Sequence, residues 1–122
     1  YVQYAYARIR SILRNLAEEG IERRDCTSGE LELLNAPEER ELIIHISALT
    51  DEIIQSAKTY DPARLTNYVN ELATKFHKFY AVCRVKGEDE ALTQARLNLC
   101  YATGVVIKNV LDMLKITAPE KM

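Results

Sequence analysis

Seven Tyr stand in this chain against two Phe and no Trp, and several of them lie beside basic residues. Tyr1, Tyr4 and Tyr6 interleave with Arg8 and Arg10, and Tyr80 is followed by Arg84 and Lys86. A tyrosine offers a flat face on which an unpaired base stacks and a hydroxyl for a hydrogen bond, while a nearby guanidinium or ammonium meets phosphate. Tyrosines at this spacing from cations therefore suit the binding of single-stranded RNA. The same side chains also serve as core residues with the hydroxyl at the surface, so a structural role for each Tyr stands beside the functional one.

Groups for catalysis are scarce. His45 and His77 each lack a second His at metal-ligand spacing, and no H-E-x-x-H occurs. The cysteines are Cys26, Cys83 and Cys100, an odd number with no C-x-x-C, which reads as free thiols in a reducing compartment. Cys100 lies in a helical stripe between Leu99 and Tyr101, where a thiol serves as core filling. A Cys–His pair that meets only in space is the arrangement the sequence leaves open. The four glycines stand isolated at 20, 29, 87 and 104, so no glycine-rich phosphate loop is present. No catalytic residue, metal site or cofactor is expected in this chain.

The elements that must position these residues read as helices. At 122 residues the chain has the length of one domain, residues 1–122, able to bury a core without disulfides or metal. Apolar residues at 48% and charged residues at 28% are ordinary for a globular fold, and four Gly with three Pro favour long helices on short loops. Ala5, Ile9, Ile12, Leu13 and Leu16 form one stripe of a first helix over about residues 1–19, closed by Gly20. Residues 20–30 read as a polar connection, and Leu31, Leu33 and Leu34 as the start of a short turn. A second long helix is expected from Asn35 as cap, with Pro37 in its first turn and Glu38 as capping-box partner, through Leu42, Ile46, Leu49 and Ile53 to Lys58 or Thr59. A third follows from Asp61 and Pro62 through Leu65, Val69, Leu72, Phe76 and Phe79 to Val82. After the charged loop 83–89, a fourth runs from Glu90 through Leu92, Ala95, Leu99, Ala102, Val106, Val110 and Leu114, stopped by Thr117 and Pro119. Ala95 and Ala102 would let a neighbouring helix come close. The expected fold is all-α, an antiparallel bundle of four main helices.

The net charge of −2 excludes a strongly basic nucleic-acid binder, but the charge is unevenly spread. Residues 1–24 carry five Arg against three Glu, residues 25–60 two bases against eight acids, and residues 61–122 nine bases against seven acids. If RNA is bound, the two ends supply the contacts and the acidic middle faces away. No apolar run approaches the roughly 20 residues of a membrane span, nothing reads as a signal peptide, and the cytoplasm is the expected location.

Four segments, taken in order, resemble the C-terminal anticodon-binding domain of arginyl-tRNA synthetases, often called DALR. Val2-Gln3-Tyr4-Ala5-Tyr6-Ala7-Arg8-Ile9 is similar to the family's V-Q-Y-A-H-A-R-I, with Tyr6 where His is frequent. Phe76-His77-Lys78-Phe79-Tyr80 resembles its F-H-x-F-Y, and Ala95-Arg96-Leu97-Asn98-Leu99-Cys100 its A-R-L-x-L-C. The ending Pro119-Glu120-Lys121-Met122 resembles its terminal P-E-R-M. Where a D-A-L-R string belongs, the chain has Glu90-Ala91-Leu92-Thr93, with Arg96 arriving later. Residues 20–40 match least.

The resemblance implies a domain that grips the anticodon stem-loop of the arginine tRNA, with Tyr80 and Met122 touching the loop and Tyr4 and Arg8 on the same surface; Arg84 joins these candidates for its charge close after Tyr80. It implies a parent that ligates arginine to its tRNA with ATP and Mg, whose H-I-G-H and K-M-S-K signatures are not in this chain. The mid-helix opening at Tyr1 and the closing Met122 fit a C-terminal piece of such a protein. The expected partners are that tRNA and the catalytic domain of the same chain, with no membrane and no DNA. Two other readings stand beside it: a non-catalytic tRNA-binding module on a related scaffold, and a helical protein-interaction domain in which all seven Tyr are structural. Salt separates the last from the RNA readings, since phosphate-dependent binding weakens steeply as salt rises.

Overall fold

The computed structural model describes residues 1–115. Six α-helices and no strand occur among them: α1 (Val2–Glu18), α2 (Ser28–Leu31), α3 (Pro37–Ser47), α4 (Leu49–Thr59), α5 (Ala63–Val82) and α6 (Glu90–Met113). The described residues are all-helical, as expected; the short turn expected near Leu31 is α2, and the four main helices become five because the second is divided into α3 and α4. The expected stops at Thr117 and Pro119 lie outside the described residues.

The long second helix is in fact two. In an unbroken helix the His45 carbonyl would accept the amide of Leu49. Here it accepts the Tyr68 hydroxyl at 2.7 Å and the Ala48 amide at 3.2 Å instead. Ser47 Oγ also bonds back to the Ile43 carbonyl at 2.9 Å, a contact that bends helices. The start of α3 is displaced by one residue as well. Ala36 rather than Asn35 is the cap, and Glu39 rather than Glu38 reaches back, accepting the Ala36 amide at 3.0 Å. At α5, Asp61 Oδ1 accepts the Ala63 amide at 3.1 Å, close to the expected cap. At α6, Asp89 Oδ1 accepts the amides of Ala91 and Leu92.

The polar connection after α1 is tied down along its length. Arg24 donates its backbone amide to Gln94 Oε1 at 2.9 Å, Gln94 Nε2 donates to the Glu22 carbonyl at 2.8 Å, and Asn98 Nδ2 donates to the Arg24 carbonyl at 2.7 Å. The short helix begins earlier than Leu31, on a Thr27–Glu30 capping box. The Arg24 guanidinium bonds both oxygens of Glu30 and holds its carboxyl down to about 2.

The core lies among α1, α3, α5 and α6, with Ile9, Leu42, Leu72, Phe76, Phe79, Leu97 and Ile107 fully buried. Tyr1 faces His77, Arg8 covers Tyr80 and Glu19 pairs with Lys86, so α1 and α5 run in the same direction. α6 comes close to α1 at Gly104, where an added Cβ would stand 3.1 Å from Ile9 Cγ2. The small residues expected there were Ala95 and Ala102; Ala95 is fully buried, but it is the glycine that admits Ile9.

The acidic segment 25–60 packs through α3 on α5 and α6, through α4 on α5, and through α2 on α6. Its Glu39, 1% exposed, meets Arg96 Nε at 2.8 Å, and Arg96 also donates to the Arg84 carbonyl at 2.6 Å. This buried pair ties the start of α3 to α6 and to the loop after α5.

Candidate nucleic-acid interface

Helical periodicity gives α1 two faces. Val2, Ala5, Ile9, Ile12 and Leu16 go into the core, as does Tyr6, which is 6% exposed. Tyr6 is thus structural and leaves the group of ring-bearing candidates. Tyr4, Arg8, Ser11 and Asn15, spaced by three and four, fall on an adjoining stripe. That stripe faces the last turns of α5, where Phe76 and Phe79 are fixed in the core and carry Tyr80 at a defined place.

Tyr4, Arg8 and Tyr80 come together across these two helices. The Arg8 guanidinium carbon lies 4.9 Å from the centroid of the Tyr80 ring, and Nη1 donates to the Tyr4 hydroxyl at 3.4 Å. Tyr80 is half-buried, with its ring near-parallel to that of Phe76 at 6.0 Å and 14°. No carboxylate pairs with Arg8 among the described residues. Its charge rests on aromatic rings, an arrangement worth about 0.5–1 kcal/mol at an exposed site.

His77 extends the aromatic surface, with ring centroids 5.3 Å from Tyr1 and 6.4 Å from Tyr4. Partial burial first, and the Arg8 charge second, pull its pKa below the ordinary value, so the imidazole is neutral near pH 7. Sequence spacing gives no reason to connect His77 to residue 1; the parallel course of α1 and α5 does so.

Two hollows, of about 280 Å³ and 1080 Å³, flank Tyr80. Both are walled by Ile12, Asn15 and Tyr80, so they form one groove. Tyr4 and Arg8 line one end of it, Arg84 and Lys86 the other. Arg84 is exposed, and its guanidinium meets no carboxylate among the described residues. Its backbone is held by Arg96, and Lys86 is held by Glu19. Met122, the remaining candidate, lies outside the described residues. Asn15 and Lys86 were within reach of sequence reading through the spacing of four from Ser11 and the run after Tyr80; the positioning roles of Glu39 and Arg96 were not.

His45 stacks on Tyr68 at 4.3 Å and 11°, with its Nε2 3.0 Å from the Tyr68 carbonyl, and burial pushes the Tyr68 hydroxyl up to about 12. Burial raises all three thiols, Cys100 to about 12, which disfavours the nucleophilic thiolate. Among the described residues no cluster of His, Cys, Asp and Glu could hold a metal ion, and no helix is long and apolar enough to cross a membrane.

The helical fold of the described residues is that of a known family. Residues 2–122 match the DALR anticodon binding domain, and the chain belongs to that family. It is 56% identical to the arginine–tRNA ligase of Acetivibrio thermocellus and 53% identical to that of Ruminiclostridium cellulolyticum, over 122 residues in each case. All of this chain is matched, and it spans 22% of the length of each of those relatives. The arginyl-tRNA synthetase of Thermus thermophilus has the same fold over the whole chain, with a TM-score of 0.84 at 29% identity, and the match covers 21% of that protein.

Proposed function

We propose that this chain recognises the anticodon stem-loop of the arginine tRNA, as the anticodon-binding part of a longer arginine–tRNA ligase. The observation that carries this reading is the convergence of Tyr4, Arg8 and Tyr80 on one groove whose far end holds Arg84 and Lys86. A splayed base has an aromatic wall in Tyr80, and the flanking phosphates have a cation on either side. Met122, by resemblance, adds an apolar contact from the end of the chain. The identity to arginine–tRNA ligases supports the choice of tRNA. Arginine activation, with ATP and magnesium, then belongs to parts of the longer protein beyond these residues, and the cytoplasm is where its tRNA is found.

NMR shift mapping of the labelled chain against an arginine anticodon stem-loop, with a loop of different anticodon as control, tests the reading. Shifts confined to α1 residues 1–15, α5 residues 76–82, the following loop and the last residues, and larger for the arginine loop, are expected. Equal shifts for both loops would reduce the chain to a general RNA binder, and no shifts would remove RNA from its partners.

A further inference from the structure

The polar groups that face the groove from α1 are nearly all engaged. Arg8 lies over Tyr80 and bonds Tyr4. Ser11 Oγ accepts from Arg14 Nη2 at 3.1 Å. Glu19 pairs with Lys86. Asn15 differs: its side chain is exposed, it walls both hollows beside Tyr80, and its amide has no partner among the described residues. It stands between a cation at one end of the groove and cations at the other.

A carboxamide presents one acceptor and two donors in a plane, and so pairs two-pronged with any base edge that offers a donor next to an acceptor. A base whose face lies against Tyr80 turns its edge along the groove wall. We infer that Asn15 reads the edge of the base held at Tyr80 and is the residue on α1 that makes this groove selective for what the loop carries there. The inference rests on the anticodon reading given above. It assigns distinct work to each neighbour: Tyr80 takes the face of the base, Arg8 and Arg84 take phosphate, and Asn15 takes the hydrogen-bonding edge. Face and charge are tolerant of sequence, whereas an edge is not.

The test is a binding series with the 122-residue chain and arginine anticodon stem-loops in which each loop nucleotide in turn is made abasic. For the intact loop, Asn15→Ala is expected to weaken binding about tenfold, within the range for one two-pronged contact. On the loop that lacks the base read by Asn15 the same substitution should have no effect, because the partner is already gone. Asn15→Asp, which has lost its donors and gained a negative charge, should be at least as weak. Asn15 is exposed, so circular dichroism melts of both variants should match the parent, which makes misfolding visible if it occurs. A uniform loss on every loop, or no loss on any, overturns the inference while leaving the anticodon reading in place. If the unaltered chain binds no stem-loop, the anticodon reading itself falls, and the inference with it.

Discussion

Tyr80 joins two environments, and that decides how its removal should be felt. Its ring is steadied from below by Phe76 and covered in part by Arg8. A base that stacks there must share the ring with the guanidinium or displace it toward phosphate. Tyr80→Ala is therefore expected to weaken stem-loop binding by about 1–3 kcal/mol, with a smaller loss of stability from the packing that the half-buried ring gives up. Tyr80→Phe keeps the stack and should bind nearly as well. Parallel titration and thermal melts of the two variants check this; a melting temperature that collapses with unchanged binding of the folded fraction would make Tyr80 a core residue alone.

His77 gives the same surface a pH dependence. Its pKa is lowered in the folded state, so the unfolded chain takes up its proton first as pH falls. Stability from this group is full above the unfolded value of about 6.5 and is lost as pH drops from there toward the lower folded value. Thermal melts between about pH 8 and pH 5 should show this loss, and His77→Gln should remove that part of it. An identical pH profile in the variant would mean that His77 titrates as it does in the unfolded chain.

At the scale of elements, the helices were largely written in the sequence and the junctions were not. The stripe of α5 is buried as its spacing of three and four requires, and those of α1 and α6 largely so, with Leu13, Leu92, Ala102 and Leu114 half-buried. The break at Ala48 could not be read from spacing, since apolar periodicity runs straight through it. At the break the His45 carbonyl accepts the Tyr68 hydroxyl and the Ala48 amide, and Ser47 bonds back to Ile43, contacts that lie outside the regular helix ladder. The capping residue of α3 was misjudged for a similar reason. Glu38 and Glu39 are equally placed on paper, and the choice falls to Glu39 because its other oxygen meets Arg96.

The Glu39–Arg96 pair invites a direct test. Glu39→Ala leaves a guanidinium with an 18%-exposed side chain without its counter-charge, a change that costs about 3–5 kcal/mol in fully buried pairs. A loss near or below the lower end, read by urea unfolding, is expected because Arg96 keeps some water and the Arg84 carbonyl. A loss below about 0.5 kcal/mol, the level of ordinary surface substitutions, would show the pair to be dispensable.

At the scale of the whole molecule, the uneven charge makes sense once the helices are placed. The acidic segment packs on α5 and α6 and spends part of its charge internally, on Arg24, Arg64 and Arg96. Arg8 and Arg84 remain without carboxylate partners among the described residues and line one groove. Stem-loop affinity should accordingly fall as salt rises, with a log–log slope that drops by about 0.7–0.9 when Arg8→Ala removes one phosphate contact. An unchanged slope would take Arg8 off the phosphate backbone and leave it as a support for Tyr80.

Sequence alone determined that this chain is helical and that it carries no glycine-rich phosphate-loop motif, and it offered Tyr4, Arg8, Tyr80 and Arg84 only as candidates for RNA contact. Those properties are local: they follow from periodicity, caps and residue chemistry within a few positions. Tertiary structure decided which tyrosines are free to act, sending Tyr6 and Tyr68 into the core and leaving Tyr4 and Tyr80 at the groove. It also decided that Asn15 stands beside Tyr80, and that Arg96 secures the backbone of Arg84. These depend on the parallel course of α1 and α5 and on the approach of α6 at Gly104. Contacts between residues 12 or more positions apart, as here, are set by how helices pack, which no single stretch of sequence encodes.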